Sequence, residues 1–598
     1  MDIKRVLEQY DSMFGKASPA ESFSFLRSAI DEARDCADVT AQQLLMNEMI
    51  GLCRDADMKD EGCRYSEEVL GLFKGNAKDT AEYGTTLVNI AGGYRAYGMY
   101  DESEQLFEEA EDVYSRTLSG NDPRLAGLYN NKSLLYQEKG DYTQAVTCLM
   151  KALPVIDASD DYVKRGTTRG NIGQTIIALC VQLRDGGGND QAQALLMRAE
   201  VYLLEAVEIF EALGGNDYHY SGTLGALGDL YSETGHSYAA VTCYRRAMRL
   251  LELYVGRSLA WERVREKLEK TEKLPDADMK GLEVSKRFFE LFGQEIITAA
   301  GEYSDRIAIG IAGEGSDAYG FDDGISTDHD FGPGLCVFAD DDIPQAVFDE
   351  LKNAYSELFV RHRAQILREF GCASGFDERL YERRGVVRTG DFYERTLGVR
   401  LSGDFSKVLC SLPEDRLAEA SNGAVFKAGG EFSGIRGQIL SHYPENVRLL
   451  KLGKTLHELS QYLQSNYPRA MARQDAVTAA LCVARGAESA METAYLLARR
   501  YHPYYKWMRR GLDELGILRD LGGMLDELCS LPMQTEAWSE YIYSSGPKNT
   551  SDRVIELTEK IAERILEELR AQSLTRSEDV FLENVSAEII RKTGNDIR

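Results

Sequence analysis

The chain has 598 residues, of which 43% are hydrophobic and 28% charged. These values are ordinary for a globular protein, and the length predicts three or four packing units. Acidic side chains number 97 and basic ones 69, giving a formal net charge of −28. Such a field repels nucleic acids and anionic membranes unless a local basic patch overrides it, so the composition argues against a nucleic-acid partner.

Cysteine usage and the N-terminal segment indicate the compartment. Eleven cysteines occur without a CxxC pair, and Cys148, Cys180, Cys243 and Cys410 fall among apolar helical positions, where a free thiol behaves as a small hydrophobe. This favours a reducing compartment over a disulfide framework or a zinc site. The opening stretch MDIKRVLEQYDSMF lacks a signal-peptide core, and no apolar run approaches the ~20 residues that span a bilayer. We therefore expect a cytoplasmic protein without a membrane partner.

The first 250 residues contain one pattern three times. An aromatic residue ends a helix, a glycine breaks it, and a small Ala or Ser in the next helix lets the pair approach closely. The first two copies are offset by 136 − 94 = 42 residues. The spacing resembles the tetratricopeptide repeat (TPR). The positions are Tyr94, Gly98, Tyr100, Ser103, Phe107 and Ala110; Tyr136, Gly140, Tyr142, Ala145, Leu149 and Ala152; and Tyr231, Gly235, Ser237, Ala240, Tyr244 and Ala247.

Between the second and third copies, 231 − 136 = 95 residues leave room for another hairpin. We expect its two helices to be separated by an inserted loop around residues 184–190, and residues 20–75 to form a degenerate capping pair. Repeats of this kind stack into a superhelix whose concave face commonly holds a peptide or protein segment. The alternative is a surface that serves only as a scaffold or for dimerisation.

The composition changes near residue 285. Residues 274–278 are the best linker candidate. Two short apolar runs, 306–312 and 334–338, predict buried strands, and helices dominate again from Ile343. The predicted fold is therefore mostly α. A TPR-like solenoid spans residues 1–273, a small α+β domain spans 281–410, and a C-terminal helical domain spans 411–598.

The stretch GEGSDAYGFDDGISTDHDFGP, between the two predicted strands, carries the candidate chemistry. Gly315 and Ser316 are followed, after eleven residues, by Asp328 and Asp330. Alternate residues of a strand point the same way, so the two aspartates aim their carboxylates at one place, where they could hold Mg²⁺ against a nucleoside triphosphate. The Gly-Ser turn would bring backbone N–H groups and a hydroxyl to the phosphates.

This stretch has two other interpretations. It could be an acidic, glycine-rich loop, with Asp317, Asp322 and Asp323, that merely connects two strands. The pair His329 and Asp330 also suggests the metal site of a phosphohydrolase, but such sites need further histidine ligands. Only seven histidines are present, widely scattered, which argues against that class.

Residues 281 to about 510 resemble a largely uncharacterised bacterial family of nucleotidyltransferase-like proteins that often carry TPR-type repeats. The resemblance rests on GLEVSKRFFE, GEGSDAYGFDDGISTDHDFGPG, TGDFYERTLGV, GAVFKAGGEFSGIRGQILSHYPENV and RRYHPYYKW. It implies a polymerase-β-like nucleotidyltransferase fold followed by a helical domain, and it implies no particular substrate. Active members usually supply a third carboxylate from a following strand. The expected strand, residues 383–389, holds none, and Asp391 and Glu431 are the nearest candidates.

The predicted C-terminal helical domain offers candidate contacts for the nucleotide or acceptor. A planar guanidinium can grip phosphate oxygens at two points. The stretch HPYYKW is either a packed aromatic anchor or a surface on which an acceptor stacks. The basic candidates are Arg436, Arg448, Arg473, Lys506 and Arg510.

Two functions remain open from the sequence. The first is a Mg²⁺-dependent nucleotidyltransferase that moves a nucleoside monophosphate from an NTP to a small molecule, protein or RNA recruited through the repeats. In it, Asp328 and Asp330 hold the metal, and Gly315 and Ser316 the triphosphate. The second is a catalytically degenerate, nucleotide-sensing adaptor whose repeats bind a protein or peptide. Sequence-specific RNA binding through the repeats is disfavoured by the acidic composition.

Overall fold

A computed structural model describes residues 2–13, 18–323, 325, 332–372, 383–401, 403, 405–540 and 549–594. The chain divides into two compact units. The first comprises Met1–Asp278 together with Leu367–Cys372, and the second comprises Met279–Ile366 with Ala373–Arg598. The predicted fold class is confirmed, because long helices account for most of the chain and one small sheet lies in the second unit.

The first unit is built from helices. Many begin at a side-chain cap that satisfies free backbone N–H groups, as at Ser18, which forms a capping box with Glu21. The helices are α1 (Ile3–Met13), α2 (Pro19–Asp35), α3 (Val39–Asp55), α4 (Lys59–Leu72), α5 (Ala81–Ala96), α6 (Tyr100–Thr117), α7 (Pro123–Glu138), α8 (Tyr142–Asp157), α9 (Tyr162–Asp185), α10 (Asn189–Ala212), α11 (Tyr218–Glu233), α12 (Ser237–Val255) and α13 (Leu259–Thr271), with a 3₁₀ turn at Gly75–Asp79.

Successive helices pack as hairpins, α5 with α6, α7 with α8, α9 with α10 and α11 with α12. The turn glycines Gly98, Gly140 and Gly235 have left-handed φ angles of +75°, +75° and +82°, which is why glycine ends the first helix of each pair. The small residues of the second helices, such as Ala145 and Ala240, are fully buried. The repeat prediction is confirmed on these points.

Two details of the repeat prediction are wrong. The connection between α9 and α10 is only the three residues Gly186–Gly188, because both helices continue into the stretch that was predicted to be an inserted loop. Residues 20–75 form the three helices α2, α3 and α4 and part of the 3₁₀ turn, rather than one pair. No helix in the described residues combines the length and apolarity needed to cross a membrane.

From residue 281 onward, helices surround a short sheet. The elements are α14 (Gly281–Ala299), a 3₁₀ turn (Gly301–Arg306), β1 (Ile307–Ile311), α15 (Ser316–Tyr319), β2 (Cys336–Ala339), α16 (Gln345–Arg361), α17 (Arg363–Phe370), β3 (Gly385–Arg388), α18 (Thr389–Leu397), α19 (Ser406–Leu409), α20 (Glu414–Ser421), β4 (Ala424–Lys427), α21 (Gly430–Leu440), α22 (Glu445–Leu459), a π segment (Ser460–Asn466), α23 (Tyr467–Ala472), α24 (Ala476–Leu497), α25 (Tyr505–Leu512), α26 (Leu521–Ser530), a 3₁₀ turn (Thr535–Trp538), α27 (Arg553–Ala571) and α28 (Leu582–Arg591).

The sheet order is β3-β2-β1-β4. Strand β1 is antiparallel to both β2 and β4, and β2 is parallel to β3. The two strands predicted from apolar runs, β1 and β2, are therefore confirmed. Strand β4 was not predicted, because its apolar run covers only residues 424–426, between Gly423 and Lys427. Since β4 follows residue 410, the sheet draws strands from both sides of the predicted domain boundary.

The strand register defines two edges. At one, which we call the Gly-Ser edge, the end of β1 meets the starts of β2, β3 and β4: Gly310 pairs with Cys336, Cys336 with Gly385, and Ile311 with Ala424. At the other, the aspartate edge, the start of β1 meets the ends of the other strands. Residues Asp340, Asp341 and Asp342 follow β2 there.

The C-terminal segment contains two helices, α27 and α28. The apolar face of α27 is buried. Its buried residues include Val554, Leu557, Ile561, Ile565 and Leu569. They belong to one core with Ala308 and Phe338 of the sheet.

Candidate functional site

The Gly-Ser turn, residues 313–316, leaves β1 at the Gly-Ser edge. Gly313 and Gly315 have φ angles of +104° and +113°, which favour glycine. The side chain of Asn422, just after α20, fixes the turn from the neighbouring strand connection. The Gly313 N–H donates to Asn422 Oδ1 at 2.9 Å, and Asn422 Nδ2 donates to the Gly313 carbonyl at 2.8 Å.

Gly315 is also fixed by its neighbours. A Cβ atom added to it would overlap Arg383 Nη2 and Asp317 Oδ1, so a side chain here would have to displace that ion pair. The guanidinium of Arg383 therefore lies directly against the backbone at Gly315. Ser316 follows as the first residue of α15. The structure thus places both residues at the sheet edge, and their role with a triphosphate stays a prediction.

Asp317 forms an ion-pair cluster that the sequence did not indicate. The side chain of Asp317 is only 6% exposed, and its Oδ1 accepts from Arg383 Nη2 at 2.6 Å and from the Ala318 N–H at 3.0 Å. Its Oδ2 accepts from Arg384 Nη2. The side chain of Arg384 is 3% exposed and that of Arg383 16%. Asp317 is therefore a buried, paired carboxylate and not a solvated loop residue.

Asp328 and Asp330, the predicted metal ligands, lie outside the described residues, as does His329. Among the residues that the structure does describe, no cluster of three His, Cys, Asp or Glu side chains could hold a metal ion. Asp322 is buried, and its Oδ2 accepts from the Gly281 N–H at 3.1 Å. Burial raises the pKa of Asp322. The predicted Mg²⁺ site thus depends on Asp328 and Asp330.

Both candidates for a third carboxylate lie at the aspartate edge. Asp391 pairs with Arg400 near the end of β3, and the backbone N–H of Glu431 donates to Asp340 Oδ1 at 2.6 Å. Four-residue strands at about 3.3 Å per residue separate the two edges by about 10 Å. Neither residue is therefore next to Gly315. Their position along the chain made them the nearest candidates for a third carboxylate, but the fold places them at the other edge of the sheet.

A carboxylate that the sequence did not single out lies nearer. Glu419 is in the last turn of α20, three residues before Asn422, and its side chain is mostly buried. Burial raises the pKa of Glu419 to about 7, and the negative charge of Glu314 adds to the rise. Arg416 pairs with Glu419 at 3.3 Å, and its positive charge opposes this rise in the pKa. The strand connection, not the spacing in sequence, brings Glu419 to this edge.

Of the predicted basic residues, Arg436 and Arg510 bind backbone carbonyls near the Gly-Ser turn or the loop after α15, whereas Arg448 is structural. Arg436 donates to the carbonyls of Asn422 and Gly423, at 3.2 Å each, and so lies at the Gly-Ser edge. Arg510 donates to the Phe321 carbonyl at 2.7 Å. Arg448 is fully buried and bound to Glu445 and the Leu496 carbonyl, which makes it structural.

The aromatic stretch 502–507 contains a packed anchor, and the stacking of an acceptor on it stays a prediction. Trp507 packs against Phe321, with ring centroids 5.9 Å apart, and thereby anchors the helix beside the loop that follows α15. Tyr504 and Tyr505 are 50% and 67% exposed and lie 4.4 Å apart. Two exposed tyrosines can stack on an aromatic partner.

Comparisons with known proteins match three parts of the chain. Residues 82–158 and residues 222–250 each match a model described as tetratricopeptide repeat, which confirms the repeats. Residues 410–508 match a model described as a domain of unknown function (DUF4037). None of these descriptions names a nucleotidyltransferase, so that resemblance stays a prediction. No curated protein matches the chain.

Two solved structures are similar to parts of the fold. BtubC (BKLC) from P. vanneervenii is 18% identical over 36% of this chain and 82% of its own, with a TM-score of 0.30. A circular tandem repeat protein with novel repeat topology and enhanced subunit contact surfaces is 12% identical over 96% of this chain and 94% of its own, with a TM-score of 0.12. These scores are too low to carry an argument. The TPR matches do indicate a protein-interaction scaffold.

Proposed function

We propose that the protein is a Mg²⁺-dependent nucleotidyltransferase that moves a nucleoside monophosphate from an NTP to an acceptor recruited by the TPR array. The observation that supports this most is the Gly-Ser turn. Its glycines have conformations that other residues avoid, Asn422 fixes it, and an arginine lies against its backbone. A turn without side chains lets phosphates approach the backbone closely.

The residues have distinct tasks in this proposal. Gly315 and Ser316 bind the triphosphate, and Asp328 and Asp330, spaced one residue apart, are oxygen donors of the kind that Mg²⁺ prefers. Bound Mg²⁺ would neutralise charge on the phosphates. An acceptor hydroxyl attacks the α-phosphorus, its proton is released, and the bond to pyrophosphate breaks. Positioning by the site supplies most of the acceleration.

Labelled nucleotides test the proposal. The full chain is incubated with α-³²P-labelled NTPs, Mg²⁺ and a lysate of the source cell, and labelled products are separated. We expect transfer to an acceptor, and we expect Asp330→Ala to abolish it. Asp391→Ala is the matched control, because Asp391 lies at the aspartate edge and should leave transfer intact. Transfer that survives Asp330→Ala would contradict the proposal.

A second function is favoured by a specific observation. Strand β3 carries no carboxylate, and the nearest buried one, Asp317, is already paired with two arginines. A site of this kind could bind a nucleotide without turning it over, and the protein would then be a nucleotide-sensing TPR adaptor. In that case ATP would change which proteins the full chain captures, with no label transferred to any of them.

A further inference from the structure

The cluster of Arg383, Arg384 and Asp317 has two arginines in unequal positions. Arg384 is almost completely buried, whereas Arg383 keeps part of its surface in contact with solvent. Each arginine donates to a different oxygen of Asp317. The carboxylate therefore keeps a charged partner even if one arginine changes its contacts, and a buried carboxylate that lost both would be strongly destabilising.

The less buried arginine of the pair, Arg383, lies against the turn. A Cβ added to Gly315 would overlap Arg383 Nη2, so the guanidinium is next to the backbone of the Gly-Ser turn. A guanidinium has five N–H donors in a planar fork, and that geometry suits two oxygens of one phosphate. The exposed Glu314 is the nearest opposing charge on the turn itself.

From this geometry we infer that Arg383 is a polyphosphate-binding residue of the Gly-Ser edge and that Arg384 is a positioning residue that holds Asp317 in place. The inference rests on the proposed function for its ligand, the triphosphate of an NTP. An incoming phosphate takes Arg383 N–H donors while Arg384 retains Asp317. No bond is made or broken in this step.

Calorimetric titration of the full chain with tripolyphosphate in EDTA tests the inference without metal or turnover. We expect wild type to bind, and Arg383→Gln to weaken binding about tenfold, the effect of losing a charged hydrogen-bond donor. The matched control is Arg400→Gln, which removes the same charge at the aspartate edge and should change affinity less than twofold. ATP should behave like tripolyphosphate, and adenosine should not bind.

Two results would overturn the inference: no binding of tripolyphosphate to wild type, or equal affinities of wild type and Arg383→Gln. If Arg383→Gln does not fold, Arg383→Lys tests the inference instead. Lysine keeps the positive charge beside Asp317 but lacks the planar set of N–H donors of a guanidinium. About threefold weaker binding by Arg383→Lys would support the inference, and unchanged binding would overturn it. If Arg383→Gln loses binding and wild type transfers no label, the phosphate-binding inference stands and the proposed transferase function is wrong.

Discussion

Gly315 shows how a single residue sets what the candidate site can hold. Its φ of +113° disfavours a side chain, and an added Cβ would overlap atoms of Arg383 and Asp317. A local sequence pattern singled out Gly315 and Ser316. It did not predict the ion pairs of Asp317 with Arg383 and Arg384, because the arginines lie 66 and 67 positions after Asp317 and only the strand pairing brings them close.

Substitution of Gly315 tests this reading of the turn. Gly315→Ala should reduce the free energy of unfolding by about 2 kcal/mol or more, since it adds steric overlap to an unfavourable backbone conformation. Gly398→Ala is the control: Gly398 also has a positive φ, +74°, but a Cβ there meets nothing within 4 Å. Gly398→Ala should reduce the free energy of unfolding by only about 1 kcal/mol. Equal losses in urea titrations would show that Gly315 is not crowded.

Helical periodicity and turn glycines were sufficient to predict the repeats, and apolar runs predicted β1 and β2. Strand β4, with an apolar run of only residues 424–426, and the strand register could not be predicted from the sequence, since pairing partners are chosen by tertiary contacts. That register separates Asp391 and Glu431 from the Gly-Ser edge and places Glu419 there. Distance along the chain therefore could not predict which carboxylate lies nearest to the Gly-Ser turn.

The connection between α21 and α22 buries a histidine. His442 is 7% exposed and stacks on Tyr501 with centroids 4.6 Å apart. Burial, together with the positive charges of Arg448 and Arg499, lowers the pKa of His442 to about 4. Between about pH 4 and the unfolded value near 6.5, the unfolded chain binds a proton that the folded chain does not, so stability rises with pH across this window.

We therefore expect unfolding free energy to fall by about 2–3 kcal/mol as the pH drops from 7 to 4 on account of His442. The replacement His442→Phe removes the titrating group and should flatten this part of the profile. Urea titrations at several pH values measure the difference. A wild-type and variant profile with the same slope in this window would mean that His442 is not held neutral by the fold.

The whole molecule joins an interaction scaffold to a domain with a small sheet. The TPR matches show the repeats and indicate such a scaffold, and the net charge of −28 argues against nucleic acid as a partner. The function of the second unit could be proposed from sequence through the Gly-Ser and Asp-x-Asp spacing and the resemblance to a nucleotidyltransferase-like family. The acceptor was not predictable, because no residue pattern on the repeats identifies it.

Hydrogen–deuterium exchange of the full chain, with and without ATP and Mg²⁺, tests the central claim most directly, since it locates a bound nucleotide without requiring turnover. We expect slower exchange in peptides that cover residues 313–318 and 383–388, the two segments that meet at the Gly-Ser edge. Unchanged exchange in both segments at saturating ATP would contradict the claim that this edge binds a nucleotide.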